Sequence, residues 1–215
     1  MPNSITSRVQ RKVQDRFFTK STYRQAWPYL MEDFKERCAY SMQHISHASG
    51  PKNMQVDHFN PRRKKDDVQK YSNFFLSTSH CNGSKSNQWP TNKERANGIR
   101  FLNCCKEIDY GVHIFEDPDN HEVVGITSAG RYHVDACDLN ADHFTKERKK
   151  RAEIWETLEQ RQITLKGNQP LPVELRLLKE MAEQMIPKIP YLSGDALQQH
   201  REKKRALESF LACQT

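Results

Sequence analysis

The chain has 215 residues, enough for one domain with appendages or two small ones. Leu, Ile, Val and Phe account for 43 of them and the mean hydropathy is −0.90, so the core is small and the surface polar. No stretch approaches the ~20 apolar residues of a membrane span, residues 1–8 lack an apolar secretory core, and six cysteines are too sparse for a secreted disulfide scaffold. A cytoplasmic protein is therefore expected. The 34 Lys and Arg against 27 Asp and Glu give a net charge of +7 and favour an anionic partner.

Residues 1–24 carry six basic residues against Asp15 alone and read as a basic arm. Trp27, Leu30, Met31 and Phe34 fall on one helix face, and His44 to Asn53 has loop composition. Residues 92–108 read as helix, with Ile99, Phe101 and Leu102 as a weak stripe. Val112–Phe115 and His121–Ile126 read as strands around the turn residues Asp117-Pro-Asp-Asn120, so 111–135 is expected to be a β-hairpin or small meander, with Ser128-Ala-Gly130 as a further turn. Asn140 is the expected N-cap of a helix to about Ile163 that buries Phe144, Ile154, Trp155 and Leu158. Helices are also expected at Val173–Ile186 and from Asp195 or Ala196 to Leu211. Leu171, Leu175, Leu178, Met181, Ala182 and Met185 recur at helical spacing, as core or as a docking face for a partner. Two further basic runs, 62–65 and 148–151, raise the odds of a phosphate-tracking surface, while 107–122 is acidic.

The chemistry concentrates in residues 54–90. Asp57-His58 is followed at fifteen residues by Asn73, in Asn73-Phe-Phe-Leu76, and nine further on by Asn82. Asp57 is a hard oxygen donor suited to Mg²⁺ or Mn²⁺, and Asn82 offers a second oxygen without a second charge. His58 can be neutral near pH 7 and take a proton from water. Lys85, at i+3 from Asn82, would share its helix face and reach a neighbouring phosphate. These are parts for metal-assisted phosphodiester hydrolysis. Taken singly, each element is an ordinary surface, turn or cap residue.

The segment Asp57-His58-Phe59-Asn60-Pro61, then Asn73-Phe74-Phe75-Leu76, then Thr78-x-x-Cys81-Asn82-x-x-Lys85-Ser86 resembles the HNH endonucleases with their ββα-metal site. Trp89-Pro90 and the earlier Cys38-Ala-Tyr40 extend the likeness. The resemblance implies an α+β fold, a ββα-metal HNH core embedded in a mainly helical chain with a small β-hairpin. It divides the chain into a basic arm and helix (1–37), the nuclease core (38–110), a β-hairpin (111–139) and a helical region (140–215). It implies His58 as general base and Asp57 and Asn82 as ligands of one divalent metal. Asn73 would fix the loop that aims His58, and Lys85, Arg62 and Arg63 would meet substrate. The mechanism needs no 2′-hydroxyl, which favours DNA and leaves a structured RNA such as tRNA open.

Relatives bind structural zinc through two Cys-x-x-Cys pairs, but here the pairs read Cys38-x-x-Ser41 and Thr78-x-x-Cys81, so structural zinc is not expected. The layout also resembles the PtuB-type nucleases of Septu-type anti-phage defence. That likeness implies an effector working beside a PtuA-type ATPase, joined in some such systems by a retron reverse transcriptase and its RNA–DNA hybrid. The alternative is a catalytically silent nucleic-acid-binding or adaptor protein on an HNH-like scaffold.

Overall fold

The computed structural model describes residues 9–12, 17–63, 68–108, 110–164 and 172–212. Among them it forms seven helices and two antiparallel two-stranded sheets, an α+β architecture that is mainly helical. The helices are α1 (Trp27–Asp33), α2 (Ser79–Lys85), α3 (Asn92–Ala96), α4 (Ser128–Ala136), α5 (Asp142–Thr164), α6 (Val173–Gln184) and α7 (Gly194–Ala212). None of the described helices is long and apolar enough to cross a membrane.

The first sheet pairs β1 (Met54–His58) with β2 (Phe74–Thr78), Asp57 opposite Phe75 and His58 opposite Phe74. All five β2 residues are buried. Leu30, Met31 and Phe34 of the α1 segment supply the apolar stripe packed in the same core. The Thr78 hydroxyl accepts from the Cys81 amide at 3.3 Å, capping α2 so that the chain turns back directly from β2. A strand–strand–helix unit results.

Aromatic rings supply much of the volume that a chain poor in aliphatic residues lacks. Phe59 stacks on Phe75 at 4.5 Å between centroids, and Trp89 stacks on Phe101 at 5.9 Å. Part of the basic arm is used inside this core. The Arg11 guanidinium lies 4.8 Å from the Phe75 ring centre and donates to the Tyr71 and Phe74 carbonyls at 2.8 and 2.6 Å.

The second sheet is a short hairpin, β3 (Ile114–Glu116) with β4 (Val123–Gly125), closed by the Asp117–Asn120 turn. Four readings of local structure need correction. The helix expected over 92–108 ends at Ala96, because Gly98 follows with φ +78°, a left-handed turn that stops it. Residues 128–136 form α4 rather than a turn and meander, with the Thr127 hydroxyl accepting from the Gly130 amide. Gly130 serves close packing there: a Cβ on it would sit 2.2 Å from the His113 carbonyl oxygen. The last helix begins at Gly194, where φ is +59°. Asn140 does not cap α5, because its amide bridges both backbone groups of Val123, at 2.7 and 2.9 Å.

The run 148–151 does not present a continuous basic face. Arg148 and Arg151 are buried. Arg151 meets both Glu116 oxygens at 2.8 Å and the Ile186 and Pro187 carbonyls at 2.9 and 2.7 Å. The far half of α5 packs Ile154 and Leu158 against Ala182 and Met185, with Trp155, Leu175 and Leu178 partly buried around them. Met181 remains 38% exposed, and Leu171 lies outside the described residues. Helix α7 adds Arg201 onto Asp117 and Asp119, and Lys204 onto Glu122.

Candidate functional site

Residues alternate across a strand, so Gln55 and Asp57 share one face of β1 while His58 takes the other at its end. Asp57, His58 and Asn82 nonetheless all line one open cleft of about 720 Å³, together with Lys20, Tyr23 and Gln69. Three separate stretches of sequence therefore converge where β1 ends.

The His58 ring lies 5.1 Å from the Tyr23 ring and meets Phe74 edge-on at 5.0 Å. Burial holds its pKa below the ordinary histidine value, against the opposing pull of the Gln69 side chain and the Asp57 charge. The imidazole is thus neutral at pH 7. Its Nε2 is sealed from solvent without a hydrogen-bond partner, and so is the Gln69 Oε1.

Asp57 is 5% exposed and already held. Its carboxylate accepts from the Tyr40 hydroxyl and pairs with Lys85, whose Nζ lies 3.0 Å from Oδ2 and 3.2 Å from Oδ1. Burial and the Asp57 charge keep the Tyr40 hydroxyl protonated far above the ordinary tyrosine range. Lys85 corrects the sequence reading. It is fully buried and donates to the His58 carbonyl at 3.0 Å, so it braces the site from behind and does not line the cleft. Asn82 donates through Nδ2 to Gln55 Oε1 at 2.7 Å, which fixes the amide and leaves Oδ1 available as an oxygen ligand.

Asn73 is completely buried in the turn before β2. Its Oδ1 accepts from the Asn60 amide at 3.0 Å, and its Nδ2 donates to the Asn60 and Val68 carbonyls at 3.1 Å each. One side chain thereby clamps both ends of the loop that follows His58. Arg62, in that loop, is exposed, and its charge acts on Glu94 and Tyr132; neither Arg62 nor Arg63 lines the cleft. Lys64 and Lys65 fall outside the described residues.

The two incomplete cysteine pairs meet behind the sheet. The buried Cys38 sulfur accepts from the Tyr40 and Ser41 amides at 3.4 and 3.5 Å and from the Thr78 hydroxyl at 3.7 Å. Burial alone would raise the Cys38 pKa, but the Cys81 thiol, Ser41 and Thr78 outweigh it and bring the value to about 5. His80 turns away from the cleft, into a separate cavity of about 570 Å³ that His47 and His143 also line, and pairs with Asp138 at 3.0 Å. Among the described residues no group of three or more His, Cys, Asp and Glu side chains is placed to hold a metal ion.

No protein-family model, no curated protein and no solved structure matches the chain. Sequence reasoning missed Gln55, Gln69 and the Tyr40 hydroxyl. Gln55 was accessible in principle, since it lies two residues from Asp57 on the same strand face. Gln69 and Tyr40 come from loops, where no periodicity marks them.

Proposed function

We propose that the chain is a metal-dependent HNH-type endonuclease that hydrolyses phosphodiester bonds of nucleic acid, with DNA the first substrate to test and a structured RNA such as tRNA the second. The observation that carries the reading is the convergence of Asp57, His58 and Asn82 on one cleft, with the His58 loop clamped by Asn73. The donors fit a hard divalent cation: one carboxylate and one amide oxygen line the cleft, and Mg²⁺ completes its shell with waters and phosphate oxygens. Asp57 and Asn82 would hold Mg²⁺ or Mn²⁺, which supplies charge stabilisation at the phosphate and the leaving oxygen.

The protein's own residues do the rest. His58, kept neutral by burial and lining the cleft, takes a proton from the attacking water as its oxygen bonds to phosphorus. The bond to the 3′-oxygen breaks in line with that attack, water returns a proton to it, and the products are 5′-phosphate and 3′-hydroxyl ends. Tyr40 and Lys85 hold the Asp57 carboxylate in place, and Gln55 does the same for the Asn82 amide. By its layout, the chain would act as the effector of an anti-phage defence complex beside a PtuA-type ATPase.

A second reading, a silent nucleic-acid-binding or adaptor protein, draws on one specific observation: Lys85 already neutralises Asp57. One experiment separates the two. Wild type and His58→Ala are expressed in cells with and without the neighbouring genes under an active trigger, and broken nucleic acids are sequenced. General-base catalysis is worth about 10²–10⁴-fold, so the nuclease reading expects breakage that disappears with the substitution. Identical behaviour of the two proteins would leave the adaptor.

A further inference from the structure

Phe17 is out of keeping with its neighbours. It is 67% exposed, whereas the Phe18 ring packs at 5.7 Å from that of Phe74. An isolated antiparallel bridge pairs Phe17 with Lys70, and the Phe18 amide donates to the Gln69 carbonyl at 3.2 Å. The bridge places Phe17 opposite Lys70, which follows Val68 and Gln69 in sequence; those two and Lys20 line the cleft holding His58, while Phe17 and Lys70 stand outside its lining. The Lys70 ammonium lies 5.5 Å from the Phe17 ring centre. Tyr23, which does line that cleft, also has a cation beside its ring, the Arg24 guanidinium 5.8 Å from the ring centre.

An exposed ring beside a cation offers a nucleobase a stacking face and the adjoining phosphate a counter-charge. A base inside a duplex has both faces covered by its neighbours, so only a single-stranded or unpaired base can use such a ring. We propose that the cleft accepts a single-stranded nucleic-acid segment, one base stacked on Phe17 and the backbone running past Lys20 and Lys70 toward His58. This rests on the nuclease reading and names its substrate class.

The test uses the full chain carrying His58→Ala, so that nothing is cut. It is titrated into short oligonucleotides bearing one 2-aminopurine, as single-stranded DNA, single-stranded RNA, perfect duplex DNA and duplex DNA with a central bubble. Single strands and bubble should bind with fluorescence quenching, and the duplex at least about tenfold more weakly. Adding Phe17→Ala should weaken single-strand binding about 5- to 150-fold and leave duplex binding unchanged, while Phe17→Trp retains it. Because Phe17 is exposed, circular dichroism should show all variants folded alike. Equal affinity for duplex and single strand, or indifference to Phe17→Ala, overturns the proposal. Wild-type cleavage of the same oligonucleotides with Mg²⁺ keeps the two readings apart. Stacking here, with no difference between wild type and His58→Ala in triggered cells, defeats the nuclease alone, and cleavage indifferent to Phe17 defeats the stacking platform alone.

Discussion

Replacing Lys85 by Met removes the charge that holds Asp57 while keeping a stem of similar volume. The wild-type ammonium is fully buried, touches both Asp57 oxygens and the His58 carbonyl, and lies 5.4 Å from the Phe101 ring centre. Without it a carboxylate only 5% exposed keeps the Tyr40 hydroxyl as its remaining partner in that group. Breaking a buried pair from one side costs about 3–5 kcal/mol, because the other charge stays desolvated. For a chain of this size that is a fall in Tm of about 6–20 °C. Urea denaturation followed by far-UV circular dichroism reads it as a shift in midpoint at unchanged slope. The double variant Asp57→Asn with Lys85→Met, which buries no net charge, should recover at least about 1 kcal/mol of the loss. A loss below about 1 kcal/mol, the range of exposed ion pairs, would refute the bracing role. Lys85 would then be free to meet phosphate, and its substitution should instead raise KM for nucleic acid.

Asn73→Ala deletes three hydrogen bonds and leaves half-buried backbone groups of Asn60 and Val68 without this partner. The cost should be about 2–4 kcal/mol, with faster proteolysis in the loop after His58; an unchanged proteolytic pattern would mean the loop holds itself. Gln55→Leu should leave the melting curve within about 0.5 kcal/mol and weaken Mn²⁺ activation of cleavage about 10- to 100-fold, whereas an unaltered Mn²⁺ titration would remove Gln55 from the site. His133 is fully buried, its Nδ1 accepting from the Leu102 amide at 3.2 Å, and burial depresses its pKa to about 3. Below the unfolded value of about 6.5 the unfolded chain binds a proton that the folded chain refuses, so stability falls as pH drops. This one group should remove about 2 kcal/mol between pH 7 and pH 5 and about 5 kcal/mol once pH passes below 3. The difference in stability between wild type and His133→Gln, measured at both pH values, isolates it; a constant difference would contradict the buried neutral state.

What the sequence revealed of the site was its local order, and what it concealed was the orientation of packed faces. Asp57 and His58 end β1, and Asn82 sits in the middle of α2, which the β1–β2 pairing and the Thr78 cap carry back onto β1. Asn82 and Lys85 do share a helix face, as the i, i+3 spacing requires. That face is laid against β1, where Lys85 is buried on Asp57 and closed to substrate, while Asn82, beside Gln55, stays at the cleft. Periodicity identifies a face without saying what covers it. The same limit explains Gly130, which reads as a turn residue until the approach of the His113 carbonyl shows a helix packed on a hairpin. It explains Asn140 too, drawn from its cap position by the backbone of Val123.

The distribution of charge follows the same division between covered and open surface. Residues 1–100, which build the cleft, contain 18 Lys and Arg against 8 Asp and Glu, net +10, whereas residues 101–215 contain 16 against 19, net −3. In the second half much of that charge is matched internally: Glu116 by Arg151, Asp117 and Asp119 by Arg201, Glu122 by Lys204. Pairs of this kind contribute little field at a distance, because opposite charges a few ångströms apart cancel beyond a Debye length. The net positive potential therefore originates from the half that carries Lys20, Arg24, Lys52 and Arg62. In the basic run 148–151, which in the sequence looked equivalent to 62–65, Arg148 and Arg151 fasten α5 to the acidic hairpin while Lys149 and Lys150 stay exposed.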